Sequence, residues 1–312
     1  MDDSKYLAFL SQRISSLFGL YFPENQWNNL MRCLKNAALD LDYETSLKAI
    51  FEWLSQRDIK DEEVKVLTKH LTIGETYFFR EKVALNLFQK IIIAEIRTKA
   101  IQGELRLRIW SAGCSSGEEP YSIAILLKEM LPDIEKWEIT ILATDLNDAA
   151  LEKAKSGIYT SWSFRETSEE LKNKYFVQKG KEFHINQEIK QMVQFERLNL
   201  LTAAYPSTST NTHQMDVVFC RNVLMYFAPE TIRSIAKRFH QILNQEGWLI
   251  TSQVELNDDY FAPFLRVKYE NGIFYQKKEK VTGSKIENVG VSSLSPKAKI
   301  GINETLPKPK GG

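Results

Sequence analysis

Cysteine is scarce in this 312-residue chain: Cys33, Cys114 and Cys220 lie far apart with no paired spacing. That excludes a disulfide framework, argues against a zinc site, and fits a reducing, cytoplasmic setting. The four histidines, His70, His184, His213 and His240, are equally scattered, so no metal site is expected. An excess of one charge is also lacking. The formal net charge is +1, which argues against broad electrostatic binding to nucleic acid or an anionic membrane. The opening stretch MDDSKYLAFL has neither a basic region nor a long apolar run, so no signal peptide is read. No segment is long and apolar enough to span a bilayer, so no membrane insertion is expected. No internal repeat is evident.

What is present divides the chain by texture. Tyr6, Phe9, Leu10, Ile14, Leu17 and Phe18 recur at helical spacing, and Gly19 is a stop. Trp27, Leu30, Met31, Leu34, Ala38 and Leu41 repeat the pattern after Pro23. Shorter stripes follow at Leu47, Ile50, Phe51 and Leu54, and at Val64, Leu67 and Leu71. These predict an N-terminal helical domain at 1–75, with the aromatic and methionine positions in its core. A helix, ALNLFQKIIIAEIR, then leads to Gly103. Beyond it, apolar strand runs (LRLRIWSA, WEITILATD, MDVVFCRN, GWLITSQ) alternate with helical patterns, the first of which ends before Pro132. Such alternation predicts an α/β domain at 76–278 with a mostly parallel sheet and helices on both faces. EFHI and MVQFERL read as a small β subdomain at about 175–197. Asn271-Gly272, flanked by alternating apolar residues, signals a closing hairpin. Residues 279–312 read as a disordered tail or linker.

The chemistry concentrates in RIWSAGCSSGEEPYS, Arg108 to Ser122. A small-residue turn between a strand and a helix presents backbone N–H groups to an anion. SAGCSSG is not the G-x-G-x-x-G dinucleotide fingerprint, however, and Glu118 and Glu119 would repel a phosphate. Asp145 closes the next strand, where an acid accepts hydrogen bonds from ribose hydroxyls. Each acid has a plainer reading. Glu118 and Glu119 would complement a helix dipole, and Asp145 would cap the helix that follows. A ligand with a ribose, and with positive charge in place of phosphate, reconciles these features. S-adenosylmethionine is such a ligand, with Glu119 meeting its ammonium and Asp145 its ribose.

TIGETYFFRE (72–81), RIWSAGCSSGEEPYSIAILL, ATDLN (143–147) and FCRNVLMYF (219–227) occur in this order. Together they resemble the CheR-type chemotaxis-receptor protein-glutamate O-methyltransferases, over residues 71–277. The resemblance implies a Rossmann-like S-adenosylmethionine-dependent methyltransferase fold, a mixed sheet with an N-terminal helical domain and a small β insertion. It implies methyl transfer to glutamate side chains of a chemoreceptor, giving methyl esters in sensory adaptation and S-adenosylhomocysteine as co-product. It places Thr76 and Arg80 in the cofactor and substrate site. Glu119 and Asp145 become acidic cofactor contacts, Asn199 and Leu200 flank the adenine, and Arg221 and Asn222 follow the fourth strand. Tyr226 lies near the reacting methyl, so Arg80 and Tyr226 are the expected catalytic pair.

Other readings stand beside these. Leu200 is equally suited to the core. Phe78 and Phe79 read as packing residues that orient Arg80, and Arg80 and Arg221 are candidates for structural ion pairs. The chain carries Gly74 where some relatives have Asn. VQKGKEFHI is short where relatives that dock on a receptor's C-terminal tether peptide are longer, so a tether-independent enzyme is expected. Its expected partner is the cytoplasmic coiled coil of a chemoreceptor-like protein, although Arg32 and Lys35 make the second helix less basic than in some relatives. The alternative is a non-catalytic regulatory domain that binds S-adenosylmethionine or S-adenosylhomocysteine.

Overall fold

The computed structural model describes residues 3–56, 58–101, 103–131, 133–202, 204–278 and 287–288. Four helices come first: α1 (Asp3–Phe18), α2 (Trp27–Asp40), α3 (Leu47–Ser55) and α4 (Asp61–Leu71). Their apolar stripes meet in one cluster around Leu10, Ile14, Leu30, Leu34, Ile50 and Leu67, all fully buried. Local chemistry sets the helix starts. The Ser46 side chain accepts from the Ala49 amide at the head of α3. Before α4, one Glu63 oxygen accepts from the Lys60 amide and the other from Tyr43 and Trp53. A segment at 72–81 then leads to α5 (Lys82–Leu87) and α6 (Ile93–Ile101), joined by a π-helical turn at Phe88–Ile92.

The α/β part runs β1 (Arg106–Ala112), α7 (Glu118–Met130), β2 (Glu138–Asp145), α8 (Asp148–Ser156), β3 (Ile158–Thr160), α9 (Glu169–Tyr175), β4 (Phe176–Lys179) and β5 (Glu182–Ile185). It continues α10 (Gln187–Gln191), β6 (Val193–Arg197), β7 (Met215–Phe219), α11 (Pro229–Ile242), β8 (Leu243–Ile250), β9 (Leu265–Tyr269), β10 (Gly272–Gln276) and β11 (Glu287–Asn288). The main sheet has the order β11-β9-β10-β8-β7-β1-β2-β6. Strands β8, β7, β1, β2 and β6 are mutually parallel, and β10 is antiparallel to both its neighbours. This is the expected mixed α/β sheet.

Sequence alternation explains the layers. In β1, Leu107 to Ala112 are all buried, as in a strand covered on both faces. Ile109 faces the core shared with α7, and Trp110 faces the core shared with α11. Strand order reverses around β1, between β2 and β7. That opens a crevice at the carboxyl ends of these three strands.

Three details differ from the sequence reading. Strand β6, expected in the small β subdomain, instead extends the main sheet, with Asp145 opposite Arg197. Its inward residues Val193 and Phe195 belong to the main core, and Phe195 meets the Tyr121 ring edge-on. The small antiparallel sheet takes β3 instead, in the order β3-β5-β4. The closing hairpin is present but turns at Glu270-Asn271, so Gly272 already pairs with Tyr269. A Cβ at Gly272 would lie 2.9 Å from Val83 Cγ1, a close approach only glycine allows. Of the expected tail at 279–312, only Glu287–Asn288 is among the described residues, and it pairs with β9. The rest of the tail, and Pro132, lie outside the described residues.

Candidate active site

A cleft of about 1120 Å³, its open mouth included, lies over the carboxyl ends of β1, β2 and β7. Thr76, Arg80, Glu119, Asp145, Asn199, Leu200, Arg221, Asn222 and Tyr226 all line it. The segment at 72–80 forms one wall, and Leu20, just beyond α1, contributes to another.

The turn after β1 is shaped by sterics on its protein side. Gly113 has φ +84°, and a Cβ there would lie 2.4 Å from Val223 Cγ2. Gly117 has φ +92°, and its Cβ would lie 2.8 Å from Ala154 Cβ. Four of the turn's amides are already engaged. Gly113 and Cys114 donate to the Thr144 carbonyl at 2.8 and 2.9 Å, and Gly117 donates to Cys114. The Ser115 amide donates to Asp145 Oδ2 at 2.8 Å. A phosphate cradle would need such groups pointing outward.

Asp145 also accepts from the Asn147 amide, through Oδ1 at 2.9 Å. It does not cap α8. Asn147 does, by accepting from the Ala149 and Ala150 amides. Asp145 therefore keeps acceptor capacity beside the cleft. Desolvation raises its pKa, against the pull of the backbone amides of Asn147, Ser115 and Leu146.

The two glutamates have separate tasks. Glu118 is buried and accepts from Ser116 and Ser163, which ties the turn to the segment after β3. Glu119 accepts from Ser111 Oγ at 2.7 Å and from Arg221 Nη1 at 3.0 Å. Burial raises the Glu119 pKa, and the Arg221 charge opposes that rise. Arg221, 3% exposed, also donates to the Arg80 carbonyl at 2.6 Å and lies 3.5 Å from Glu81. Arg221 is thus an ion-pair partner as well as a cleft residue. Among the described residues its buried Nε has no hydrogen-bond partner.

Arg80 sits between two residues in the left-handed region, Phe79 (φ +59°) and Glu81 (φ +58°). Such strain at non-glycine residues clusters at functional sites. Packing holds it. Phe78 is fully buried against Tyr159, Phe164 and Phe176, and the Phe79 amide donates to Ser122 Oγ. The Arg80 head donates to the Glu75 carbonyl at 2.8 Å and lies 5.6 Å from the Tyr77 ring centre.

Tyr226 ends a short 3₁₀ turn, Leu224–Tyr226, and its carbonyl accepts from the Tyr21 amide at 2.8 Å. Burial raises the phenol's pKa. The Asn199 side chain donates through Nδ2 to the Leu17 carbonyl at the end of α1 and accepts through Oδ1 from the Leu201 amide. Leu200 is buried in the core shared with α11 as well as lining the cleft. Thr76 is partly exposed at the wall.

Sequence reading missed Glu81 and Glu255. Nothing local marks Glu81. Glu255 was legible, because Ser252-Gln-Val-Glu255 has the spacing of a capping box.

A family model described as CheR methyltransferase, SAM binding domain, matches residues 74–262. The chain is 36% identical over 205 residues to the chemotaxis protein methyltransferase of Borreliella burgdorferi, covering 63% of this chain and 71% of that one. It is 33% identical over 243 residues to chemotaxis protein methyltransferase 2 of Vibrio cholerae, covering 78% and 82%. With chemotaxis protein methyltransferase 1 of Pseudomonas aeruginosa it shares 36% over 214 residues, 67% and 75% of the two chains.

The pairing of Glu119 with Arg221 has a measurable signature. Arg221→Leu strands a buried carboxylate and is expected to cost about 3–5 kcal/mol in chemical denaturation. Adding Glu119→Gln to that variant should recover most of the loss. Equal destabilisation of the single and double variants would show that the pair is not what Arg221 contributes.

Proposed function

The chain belongs to the CheR methyltransferase family, and from that premise we propose that it methylates glutamate side chains of a chemoreceptor-like coiled coil, giving methyl esters. It is a methyltransferase of the chemotaxis type, and S-adenosylmethionine is its cofactor. The donor set of the cleft fits that molecule. Asp145 has lone pairs left for ribose hydroxyls, and Glu119 is an anion suited to an ammonium. Asn199 and Leu200 would flank the adenine, while Thr76, Arg80, Arg221 and Asn222 complete the walls. Gly74 keeps the wall open, since a Cβ there would come within 3.3 Å of Ser115 Oγ. When bound, the cofactor supplies an electrophilic methyl on a positively charged sulfur.

The observation that carries the glutamate reading is the lining itself. Among the described residues, no histidine and no lysine lines the cleft. Of the carboxylates that line it, Glu119 and Asp145 are already bonded, and Glu75 pairs with Arg165 at 3.2 Å. An acceptor that must first lose a proton, such as a lysine ammonium, finds no histidine or lysine base among the described lining residues. A glutamate, with a pKa of about 4.3, arrives ionised and needs none. The remaining task is alignment. Arg80 has donors left after its bond to Glu75, and Tyr226 holds its proton to high pH. Both suit orienting a carboxylate. Too tight an Arg80 contact would blunt the nucleophile, so orientation describes the role better than charge neutralisation. The turn between β4 and β5 is two residues, Gly180-Lys181, which supports tether-independent action.

Labelled methyl from S-adenosylmethionine should enter a soluble receptor fragment and leave again in mild base, as an ester does. Arg80→Ala should cut turnover about a hundredfold while calorimetric cofactor affinity hardly moves. Cofactor binding with no transfer would favour a regulatory domain. Because its pKa is raised, Asp145 takes up a proton earlier than an ordinary aspartate as pH falls. Cofactor affinity should therefore drop on the acid side, and Asp145→Asn should flatten that limb. For the ligand-free fold the sign is opposite, since the native state binds this proton more readily and gains stability as pH falls. A pentapeptide from a receptor's C-terminus should give no calorimetric signal, and measurable binding would overturn tether independence.

A further inference from the structure

The loop that brings Asn222 and Tyr226 into the cleft is held by a carboxylate that does not line it. Glu255 ends a 3₁₀ turn, Gln253–Glu255, beyond β8, and is 8% exposed. Its Oε1 accepts from the amides of Val223 at 2.7 Å and Met225 at 3.2 Å. Its Oε2 accepts from the Asn222 amide at 2.9 Å, and from the Ser252 amide and hydroxyl at 3.1 and 2.7 Å. Among the described residues no Lys or Arg lies within ion-pair distance of it, so backbone dipoles supply its compensation. Convergent N–H groups of this kind form a nest, an anion-binding concavity, and here the anion is part of the chain.

The loop has other restraints as well: the Tyr226 and Phe227 amides donate to the Val223 and Leu224 carbonyls at 3.2 and 3.0 Å, and Leu224 is buried in the core shared with α11. Asn222 sits at φ +58°, a conformation that costs energy unless its surroundings impose it. Val223 packs over Gly113 on the cleft side. The Tyr226 carbonyl is fixed by Tyr21. Between those points Glu255 is the acceptor for the amides at 222, 223 and 225, the part of the path that no other carboxylate among the described residues holds. Without it, three amides at 222, 223 and 225 lose their acceptor, and the left-handed turn before Tyr226 loses its support.

We propose that Glu255 is the positioning residue for Tyr226, acting as the resident anion of the nest at 222–225. The inference rests on the reading of Tyr226 as an orienting group for the acceptor carboxylate. It adds that the phenol's placement is imposed from the neighbouring strand end. A carboxylate is required because every group facing it is a donor. In Glu255→Gln the side-chain NH₂ would confront those amides.

The test is a double-mutant cycle on the full chain, read by methyl transfer to a soluble receptor fragment. Glu255→Gln should lower kcat at least about tenfold while cofactor Kd stays within about threefold. In a Tyr226→Phe background the same change should add little. If Tyr226→Phe lowers kcat but the two losses multiply in full, the Glu255 inference is wrong and the Tyr226 reading survives. If Tyr226→Phe leaves kcat unchanged, the Tyr226 reading falls and takes the inference with it. A second readout needs no acceptor. With ring-labelled tyrosine, the Tyr226 NMR signal should move in Glu255→Gln while those of Tyr121 and Tyr159 stay, and an unmoved Tyr226 signal overturns the proposal. If Glu255→Gln does not fold, Glu255→Asp, one methylene short of the nest, carries the same cycle and the same readings.

Discussion

One buried guanidinium organises the site. Arg221 follows β7, its carboxylate partner Glu119 opens α7 after β1, and its second donor reaches the Arg80 carbonyl. Three segments far apart in sequence therefore meet on a single planar group. Arginine suits this post because its fork of donors is rigid and always charged. The pair adds little net stability over an apolar replacement, yet losing one member is expensive. Its value is geometric, since it fixes the segment at 72–81 against the strand ends. The left-handed residues on either side of Arg80 are tolerable because this contact and the Phe78 packing over-determine them.

The helical unit is part of the cleft as well as a neighbour of it. Asn199 grips the last turn of α1, Tyr21 bonds the Tyr226 backbone, and Leu20 lines the cleft wall. Asn147, capping α8, also donates to Thr72 Oγ1 just after α4. The first two bonds use backbone groups at or just beyond the end of α1, and the third uses a side-chain hydroxyl just after α4. Movement of the helical unit would therefore be felt at Asn199 and at Tyr226 together.

The central strands were readable because β1, β7 and the later halves of β2 and β8 are buried on both faces, which few other arrangements produce. Edge elements were harder. VQFER alternates, and alternation says only that one face is buried, so β6 was read into the small sheet when its core lies under the main one. Asp145 was read as the candidate cap in ATDLN, and sequence alone does not say that Asn147 takes the helix while Asp145 accepts from Ser115. The lining residues were legible as a set through motif order. Their partners were not, because Glu119 and Arg221 are 102 positions apart and the pairing exists only once the sheet has formed.

The glycine turn after β1 has a bearing on how this site could evolve. Its amides at 113, 114, 115 and 117 are committed to Thr144, Asp145 and Cys114. Replacing Glu118 and Glu119 by neutral residues would remove the repulsion toward phosphate without releasing a single one of those donors. Reaching a dinucleotide pocket from this scaffold would mean redrawing the turn itself, together with the strand-end carbonyl and carboxylate that hold it. Ligand preference is thus written into the backbone as well as the side chains, and it resists drift by point mutation.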